Sequence, residues 1–311
     1  MAPLPAIRPR AWLAVLSHGN LAMHHFPAAP ADSGLRPFVK MHGLRNHFVI
    51  FDRRSDRRPF SAAETIRICD VETGVGAEQL VTLEHPTQAG ADVQMRLFNV
   101  DGREVGACGN ATRCAALLAM DDLDRDEVVI ETAAGLLPCR RTGAYEVSVR
   151  LGPISLDWRE IGASREVDTG HLPIESGSLR DGTALWIGNP HVVFFVETLD
   201  VAELVQYAPA IQSDPLFPEG VNVGAAELVN ESTIRLAVWE RPGILTQACG
   251  TGACVAAFAA RRRGLSTADH FTVHLPGGAL TITLEDDMAV MAGPVAFCCT
   301  GFVEGERADE A

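Results

Sequence analysis

Two cysteines in closely similar surroundings are the residues of this chain best suited to chemistry. Cys108 and Cys249 each stand in an Ala-Cys-Gly step, and small apolar residues follow each of them over the length of a helix. A cysteine at the beginning of a helix meets unpaired backbone N–H groups and the positive end of the helix dipole, which favour a thiolate and can hold a carboxylate. We therefore expect the pKa of both thiols to lie below the roughly 8.5 of a free cysteine.

The two cysteine motifs belong to a longer repeat. A large aromatic residue, Phe98 or Trp239, lies ten residues before each cysteine, and a glycine lies six residues before it. The offset of 141 residues between the cysteines also relates Gly152-Pro153 to Gly293-Pro294. A register shared over this length indicates an internal duplication. The alternative is two unrelated helices that begin in a similar way.

Two thiols on opposite sides of one bound carboxylate suit the exchange of a proton at the neighbouring carbon. If the halves pack face to face, a thiolate removes the proton from one face while a thiol delivers one to the other. Such a carbon is a very weak acid, so the site must be dry and its dipoles aimed at the developing charge. One thiol must be ionised while the other is protonated, so the pair titrates as a coupled unit.

Composition limits the classes of partner. The 311 residues, 47% of them hydrophobic, describe an ordinary soluble globular chain with room for two medium domains. No apolar run approaches the roughly 18 residues that a membrane span needs. The net charge of −14 argues against a nucleic-acid partner, which would require a basic face. We expect a small-molecule partner, with no nucleic acid and no membrane.

The other cysteines are predicted to be structural. Eight cysteines in a chain of this length do not make a disulfide scaffold. Cys114 and Cys254 follow the two key cysteines by six and five residues, a spacing that does not match a zinc site. We interpret these two as buried thiols and Cys298-Cys299 as strand packing, and we expect no metal.

The order of the segments predicts an α+β fold. Residues 1–36 differ in character from the rest of the chain and are predicted to be a disordered extension or an over-long gene start. Residues 37–152 and 153–295 each alternate antiparallel strands with one central helix of small residues, which predicts two pseudo-symmetric domains. Residues 296–304 exceed the repeat and are predicted to pair back onto the first half.

Polar residues near the motifs fit a small charged ligand. Arg241 is able to bind a carboxylate through two hydrogen bonds, and Glu240 is able to bind an ammonium group. His191 either adjusts a thiol or fills a polar pocket. Four asparagines stand at strand ends or turns, where sites are often built and where asparagine is also common for structural reasons: Asn46, Asn99, Asn189 and Asn222.

From Phe38 to Val303 the chain resembles the diaminopimelate epimerase family. The matching motifs, in the family's order, are Met41-His-Gly-Leu, Thr73-Gly-Val-Gly, Phe98-Asn-Val-Asp-Gly, Ala107-Cys-Gly-Asn, Gly188-Asn-Pro-His, Glu240-Arg and Ala248-Cys-Gly-Thr-Gly-Ala-Cys. The resemblance implies interconversion of LL-diaminopimelate and its meso form, without pyridoxal phosphate, metal or other cofactor. It also implies a role in lysine and peptidoglycan synthesis in the bacterial cytoplasm, and two domains, each a sheet or barrel around a helix, in a homodimer.

The resemblance assigns roles to individual residues. The family's thiol pair falls on Cys108 and Cys249, and His191 and Glu240 match positions that adjust the thiols. The ligand contacts fall on Asn46, Gln79, Asn99, Gly109, Asn110, Asn189, Asn222, Glu240, Arg241, Gly250 and Thr251.

Four positions depart from the family pattern. Arg45 and His47 stand where the family usually has glycine and aspartate, Pro242 replaces a glycine, and Ala111 replaces another. These changes leave the thiols intact but alter the region expected to hold the far end of the substrate. A second hypothesis is therefore a racemase or isomerase of the same fold that acts on another amino acid or hydroxy acid. A third, a binding protein with an inactive cleft, is disfavoured because both cysteine motifs are whole.

Overall fold

The computed structural model describes residues 25–30, 33–56, 58–106 and 108–305. Within these ranges no helix is both long and apolar enough to cross a membrane. The helices of the described chain are α1 (Ala62–Cys69), α2 (Gly109–Leu123), α3 (Trp158–Ile161), α4 (Val201–Gln212) and α5 (Gly250–Arg262).

Strands of the first half surround α2. They are β1 (Leu35–Gly43), β2 (Asn46–Asp52), β3 (Gln79–Glu84), β4 (Val93–Asn99), β5 (Glu104–Val105), β6 (Glu127–Thr132), β7 (Gly135–Gly143) and β8 (Glu146–Leu151). Every residue of α2 from Gly109 to Met120 is buried, which the small residues of its sequence permit. A helix buried on all sides is a core element rather than an amphipathic surface helix.

Strands of the second half surround α5 in the same way. They are β9 (Thr183–Trp186), β10 (Pro190–Phe195), β11 (Asn222–Asn230), β12 (Thr233–Glu240), β13 (Ile244–Leu245), β14 (His270–Leu275), β15 (Gly278–Glu285) and β16 (Met288–Pro294). The pairing pattern repeats. The parallel pair β2–β3 leads to antiparallel β3–β4 and β4–β5 and parallel β4–β6. The second half repeats this series, with parallel β10–β11, antiparallel β11–β12 and β12–β13, and parallel β12–β14. The predicted α+β class with two pseudo-symmetric halves is confirmed.

Two strand pairings join the halves. β8 pairs antiparallel with β16, and the last strand, β17 (Ala296–Glu304), pairs antiparallel with β1. A β-bulge interrupts the second pairing between Lys40 and Met41, where Lys40 faces Cys299 and Met41 faces Phe297. The sheets of both halves therefore form one continuous hydrogen-bonded network.

Order begins before residue 37. β1 starts at Leu35, which pairs with Glu304. The ring of His25 stacks on Phe297 with centroids 4.6 Å apart, and its Nε2 lies 2.6 Å from a carboxylate oxygen of Asp121. The predicted end of the disordered extension, residue 36, therefore lies too far along the chain. Residues before it already contact segments that are distant in sequence. The remainder of that extension lies outside the described residues.

Candidate active site

Both key cysteines are the residues that precede a central helix. Cys108 is the N-cap of α2, where the backbone N–H groups of Ala111 and Asn110 favour its thiolate. Cys249 is the N-cap of α5, and Gly252 N–H donates to its Sγ at 3.3 Å. The predicted placement of a cysteine at each helix start is therefore present in the structure.

The two helix starts converge on one methionine. A Cβ added to Gly109 would lie 2.7 Å from Met291 Cε, and one added to Gly250 would lie 2.6 Å from Met291 Sδ. Asn110 Nδ2 also donates across the junction to the backbone oxygen of Ala248 at 3.0 Å. The two halves therefore bring their cysteine motifs to a common junction, and the absence of a side chain at both glycines is what allows the approach.

Burial reverses the expected direction of the thiol pKa shifts. Burial raises the pKa of Cys108 to about 11, and the helix N–H groups only partly offset it. Cys249 is 4% exposed, and burial followed by the charge of Glu240 raises its pKa well above the ordinary value. The expectation of pKa values below that of a free thiol was therefore wrong. The helix terminus lowers the thiol pKa, as predicted, but the loss of hydration on burial raises it by more.

A polar cluster surrounds Cys108. Its Sγ donates to Asn46 Oδ1 at 3.6 Å, and Asn110 Nδ2 donates to the same oxygen at 3.2 Å. Asn46 Nδ2 in turn donates to a carboxylate oxygen of Glu78. The predicted residues Asn46 and Asn110 are thus brought together at the first thiol, and Glu78 joins them without having been predicted.

Gln79 and Asn99 form a second pair in the same half. They face each other on β3 and β4, and Gln79 Nε2 donates to Asn99 Oδ1 at 3.0 Å. β3 lies parallel to β2, with Gln79 beside Phe48. The pair therefore lies at the end of the sheet that also carries Asn46, because neighbouring parallel strands begin at the same edge.

A histidine network surrounds Cys249. His191 Nε2 lies 3.0 Å from Thr251 Oγ1, 3.1 Å from Asn189 Oδ1 and 3.4 Å from Asn222 Nδ2. Thr251 Oγ1 is 3.5 Å from Cys249 Sγ. The second half therefore links three predicted ligand-contact residues to its thiol through one imidazole.

His191 is neutral in this environment. It is 1% exposed, and burial followed by the charge of Arg241 lowers its pKa to about 3. A neutral imidazole orients Thr251 by hydrogen bonding but supplies no positive charge to the Cys249 thiol. Its predicted influence on the thiol can therefore operate only through hydrogen bonding.

Glu240 is the last residue of β12 and Arg241 follows it, and the two side chains have different surroundings. Glu240 accepts a 2.6 Å hydrogen bond from Thr246 Oγ1 and is hydrogen-bonded to Cys249, and burial raises its pKa. Arg241 is exposed, and its Nη1 donates to the backbone oxygens of Glu219 and Gly220 at 3.0 and 3.3 Å. The carboxylate therefore lies at the thiol, whereas the guanidinium lies at the rim.

Arg113 is a buried residue of this site that no sequence motif predicted. Its side chain is fully buried, its Nη2 donates to Asn110 Oδ1 at 2.8 Å, and its Nη1 lies 3.5 Å from Met291 Sδ. Its Nε has no partner, and no ion pair within the described part of the chain includes it. The repeat offset relates Arg113 to Cys254, so the buried cation occurs in one half only. That asymmetry was the signal available in the sequence.

The remaining cysteines divide into two groups. Cys114 and Cys254 are fully buried, as expected. Cys298 and Cys299 lie in β17 but are exposed, so their interpretation as strand packing was wrong. Phe297 of the same strand packs against the core, whereas the side chains of Cys298 and Cys299 are exposed. Arg45 also lies in a turn, with a left-handed φ of +67° that would suit the glycine of the family pattern.

The repeated fold, two halves that each wrap a sheet around a central helix, is shared with solved structures of racemases and epimerases. A probable proline racemase from Agrobacterium radiobacter K84 superposes with a TM-score of 0.65 at 17% identity, over 88% of this chain and 94% of that one. A hydroxyproline epimerase from Agrobacterium vitis gives 0.63 at 17% identity, over 87% and 93%. At these identities the likeness concerns the fold alone.

Closer relatives identify the family. The diaminopimelate epimerase family model matches residues 38–157 and 183–298. The diaminopimelate epimerase of Rhodospirillum centenum is 44% identical over 268 residues, which cover 86% of this chain and 92% of the relative. That of Sphingopyxis alaskensis is 48% identical over 246 residues, covering 79% and 88%. The chain belongs to the diaminopimelate epimerase family.

Proposed function

We propose that this protein interconverts LL-diaminopimelate and meso-diaminopimelate by proton transfer at one α-carbon. The observation that carries the proposal is the convergence of the two helix starts capped by Cys108 and Cys249, whose first residues Gly109 and Gly250 both lie against the side chain of Met291. The names of the relatives, at 44% and 48% identity over most of the chain, supply the substrate.

The reaction needs one thiolate and one thiol. The thiolate takes the α-proton from one face of the carbon and becomes a thiol. The second thiol then gives its proton to the opposite face and becomes the thiolate, so the enzyme returns to its first state after the reverse turnover or a proton exchange with water. The substrate carboxylate lies against the N–H groups of the helix starts, which stabilise the charge that develops on the deprotonated substrate.

The surroundings of the two thiols suit different protonation states. Glu240 is hydrogen-bonded to Cys249 and raises its pKa, so it favours Cys249 as the proton donor. Arg113 acts on Cys108 in the opposite direction, so it favours Cys108 as the base. Both thiols hold their protons at neutral pH in the geometry described, so Cys108 must release its proton to solvent water when the substrate enters.

The rest of the polar network is proposed to bind the substrate. Helix-start N–H groups would receive the carboxylate at the reacting carbon, while amide side chains and Arg241 at the rim would hold the remaining charged groups. The proposed contacts are Asn46, Gln79, Asn99, Gly109, Asn110, Asn189, Asn222, Glu240, Arg241, Gly250 and Thr251.

We further propose that the enzyme needs no cofactor and works as a homodimer in the bacterial cytoplasm, in the synthesis of lysine and peptidoglycan precursors. The support for these statements is the family membership. Light scattering of the purified chain would test the assembly, with a mass near twice 33.3 kDa expected for the dimer.

The experiment that tests the function is incubation of the reduced protein with LL-diaminopimelate in D2O, with no cofactor added, while NMR follows the α-proton. Loss of the α-proton signal together with appearance of the meso isomer is expected. Absence of exchange in a folded sample would contradict the substrate assignment. A panel of single-enantiomer amino acids and hydroxy acids would then test the second candidate, which Arg45 and His47 beside Asn46 favour.

A further inference from the structure

A cluster of three metal-binding side chains lies on the outer surface of strands β1, β2 and β17. We propose that His42, His47 and Cys298 form a site for a divalent transition-metal ion of the Zn²⁺ class. One nitrogen from each histidine and the cysteine sulfur lie within 4.8 Å of one another. The site does not involve Cys108 or Cys249, and metal binding there is independent of the reaction proposed above.

The fold brings these residues together from distant parts of the chain. His42 and His47 are directly opposite each other in the antiparallel pair β1–β2, with ring centroids 5.1 Å apart. Cys298 is the extra residue of the bulge in β17, between the residues that face Met41 and Lys40. A bulge places its extra residue outside the regular ladder and redirects a side chain. This explains why no cysteine–histidine spacing in the sequence predicted the site.

The donor set matches the preference of zinc. Imidazole nitrogen and thiolate sulfur bind Zn²⁺ at about 2.0–2.1 and 2.3 Å in tetrahedral sites, so the donor atoms would stand roughly 3.5 Å apart around the ion. The present separations require a closing movement of about 1 Å, estimated from that spacing. Both histidines are half-buried and Cys298 is exposed, so the cysteine side chain has room to turn towards the two imidazoles. Three protein ligands leave the fourth position to water.

Neighbouring charges influence the protonation of the proposed metal ligands. Burial and the nearby charges of His47 and Arg45 lower the pKa of His42, which keeps its imidazole neutral and able to bind a metal. Burial raises the pKa of Cys298, and the charge of Lys40 offsets part of that rise by favouring the thiolate. A metal ion bound at His42 Nδ1 would displace only a weak interaction. This nitrogen accepts a 3.3 Å hydrogen bond from the backbone N–H of Arg45.

The ion would restrain the part of the chain that carries Asn46. Asn46 and the backbone N–H of His47 both donate to the same carboxylate oxygen of Glu78, so His47 and Asn46 move together. Binding to Cys298 would add a side-chain link between this hairpin and β17, which already pairs with β1. We therefore infer that Zn²⁺ lowers turnover by fixing the hairpin, a consequence that rests on the proposed function.

Titration of the full-length reduced protein with Co²⁺ tests the site without reference to activity. One equivalent should produce the thiolate-to-cobalt charge-transfer band and the visible bands of a tetrahedral ion. Cys298→Ser and His47→Ala should abolish the thiolate band, whereas Cys299→Ser should retain it. Cys299 is the matched control, because it is the exposed neighbour of Cys298 on the same strand. A band that survives in Cys298→Ser, or that both serine variants lose, would overturn the proposal.

Measurements of turnover test the inference that Zn²⁺ bound at this site inhibits the enzyme. Zn²⁺ should inhibit the unmodified protein and Cys299→Ser at least tenfold more strongly than Cys298→Ser. Equal inhibition of the two variants would place the inhibitory ion on the buried thiols and overturn the regulatory inference. A normal Co²⁺ spectrum in a protein with no turnover would instead reject the proposed function and leave the metal site standing.

Discussion

The guanidinium of Arg113 donates a 2.8 Å hydrogen bond to Asn110 Oδ1 in the fully buried junction between the two halves. A cation can only donate, so this bond turns the amide oxygen of Asn110 towards Arg113 and its nitrogen away. The nitrogen then reaches both Asn46 and the backbone oxygen of Ala248. One buried charge therefore sets the amide that bridges the halves beside Cys108.

Replacement of Arg113 by methionine should reduce turnover by about 10²-fold, because it misplaces the reacting groups and removes the cation that favours the Cys108 thiolate. Stability should stay the same or rise, since an apolar side chain replaces a buried charge without a carboxylate partner. Steady-state kinetics and urea unfolding measure the two effects. Arg113→Lys, which keeps the charge, should recover part of the turnover.

Arg36→Met is the matched control for that prediction. Arg36 is also buried, but its guanidinium lies 3.5 Å from Asp56 and 3.7 Å from Glu64. Its loss should therefore lower stability, because the buried Glu64 carboxylate loses this guanidinium while Asp56 keeps Arg58 at 2.8 Å, and turnover per folded molecule should be unchanged. If Arg113→Met loses as much stability as the control and keeps full turnover, Arg113 has only a structural role.

Cys108→Ala and Cys249→Ala should each abolish conversion between the isomers, because each removes the only proton carrier on one face of the substrate. Exchange of the α-proton with D2O from the face that keeps its thiol is expected to survive in part. Cys114→Ala and Cys254→Ala serve as controls, since both side chains are fully buried behind the helix starts. Full conversion by either of the first two variants would contradict the two-base mechanism.

Alkylation of Cys108 by iodoacetamide should rise about tenfold per pH unit from pH 7 to pH 10, because only the thiolate reacts. The reason is burial, which raises the pKa of Cys108 to about 11. Peptide mass spectrometry in a Cys298→Ser, Cys299→Ser background measures the rate at this residue. The urea-unfolded chain, whose thiols should level off near a pKa of roughly 8.5, is the control. A plateau below pH 9 in the folded protein would mean that the helix N–H groups outweigh burial.

His191 should make the protein less stable as the pH falls from 6.5 to 3. Its folded pKa is lowered to about 3, so the unfolded chain takes up a proton in this window that the folded chain refuses. The free energy of unfolding therefore decreases by up to about 1.4 kcal/mol per pH unit from this residue. His191→Gln lacks the effect, so its stability relative to the unmodified protein should improve towards acid pH. A difference that stays constant in urea unfolding from pH 7 to pH 4 would show that His191 titrates normally.

Gly250→Ala should destabilise the protein by about 1–3 kcal/mol through overpacking. The added Cβ would lie 2.6 Å from Met291 Sδ and 3.2 Å from its Cε. Adding Met291→Ala should recover stability, although turnover should stay low if the substrate carboxylate must approach the bare backbone at Gly250. Thermal unfolding of both single variants and the double variant measures the coupling. Strictly additive losses would show that Met291 is not what the new side chain meets.

Much of the architecture was predictable from the sequence. The repeat offset, the alternating apolar residues and the Ala-Cys-Gly steps predicted two α+β halves with a cysteine at the start of each central helix, and the folded chain has that arrangement. The residues Ser61-Ala-Ala-Glu64 have the pattern of a capping box, and Glu64 N–H donates to Ser61 Oγ at 3.0 Å. These features depend on residues that are close in the chain or related by one constant offset, so they can be predicted from sequence patterns alone.

Other features depended on packing between distant segments. Burial raised the thiol pKa values against the direction of the helix dipole, since hydration is lost only when the halves close around the cysteines. Arg113 became a buried cation because the second half covers it, and Cys298 reached His42 and His47 because β17 returns to β1. The sequence by itself determined which groups carry the chemistry and where they start a helix. Tertiary structure alone decided their hydration, their charge environment and their partners, because those properties arise from atoms that meet only in the folded chain.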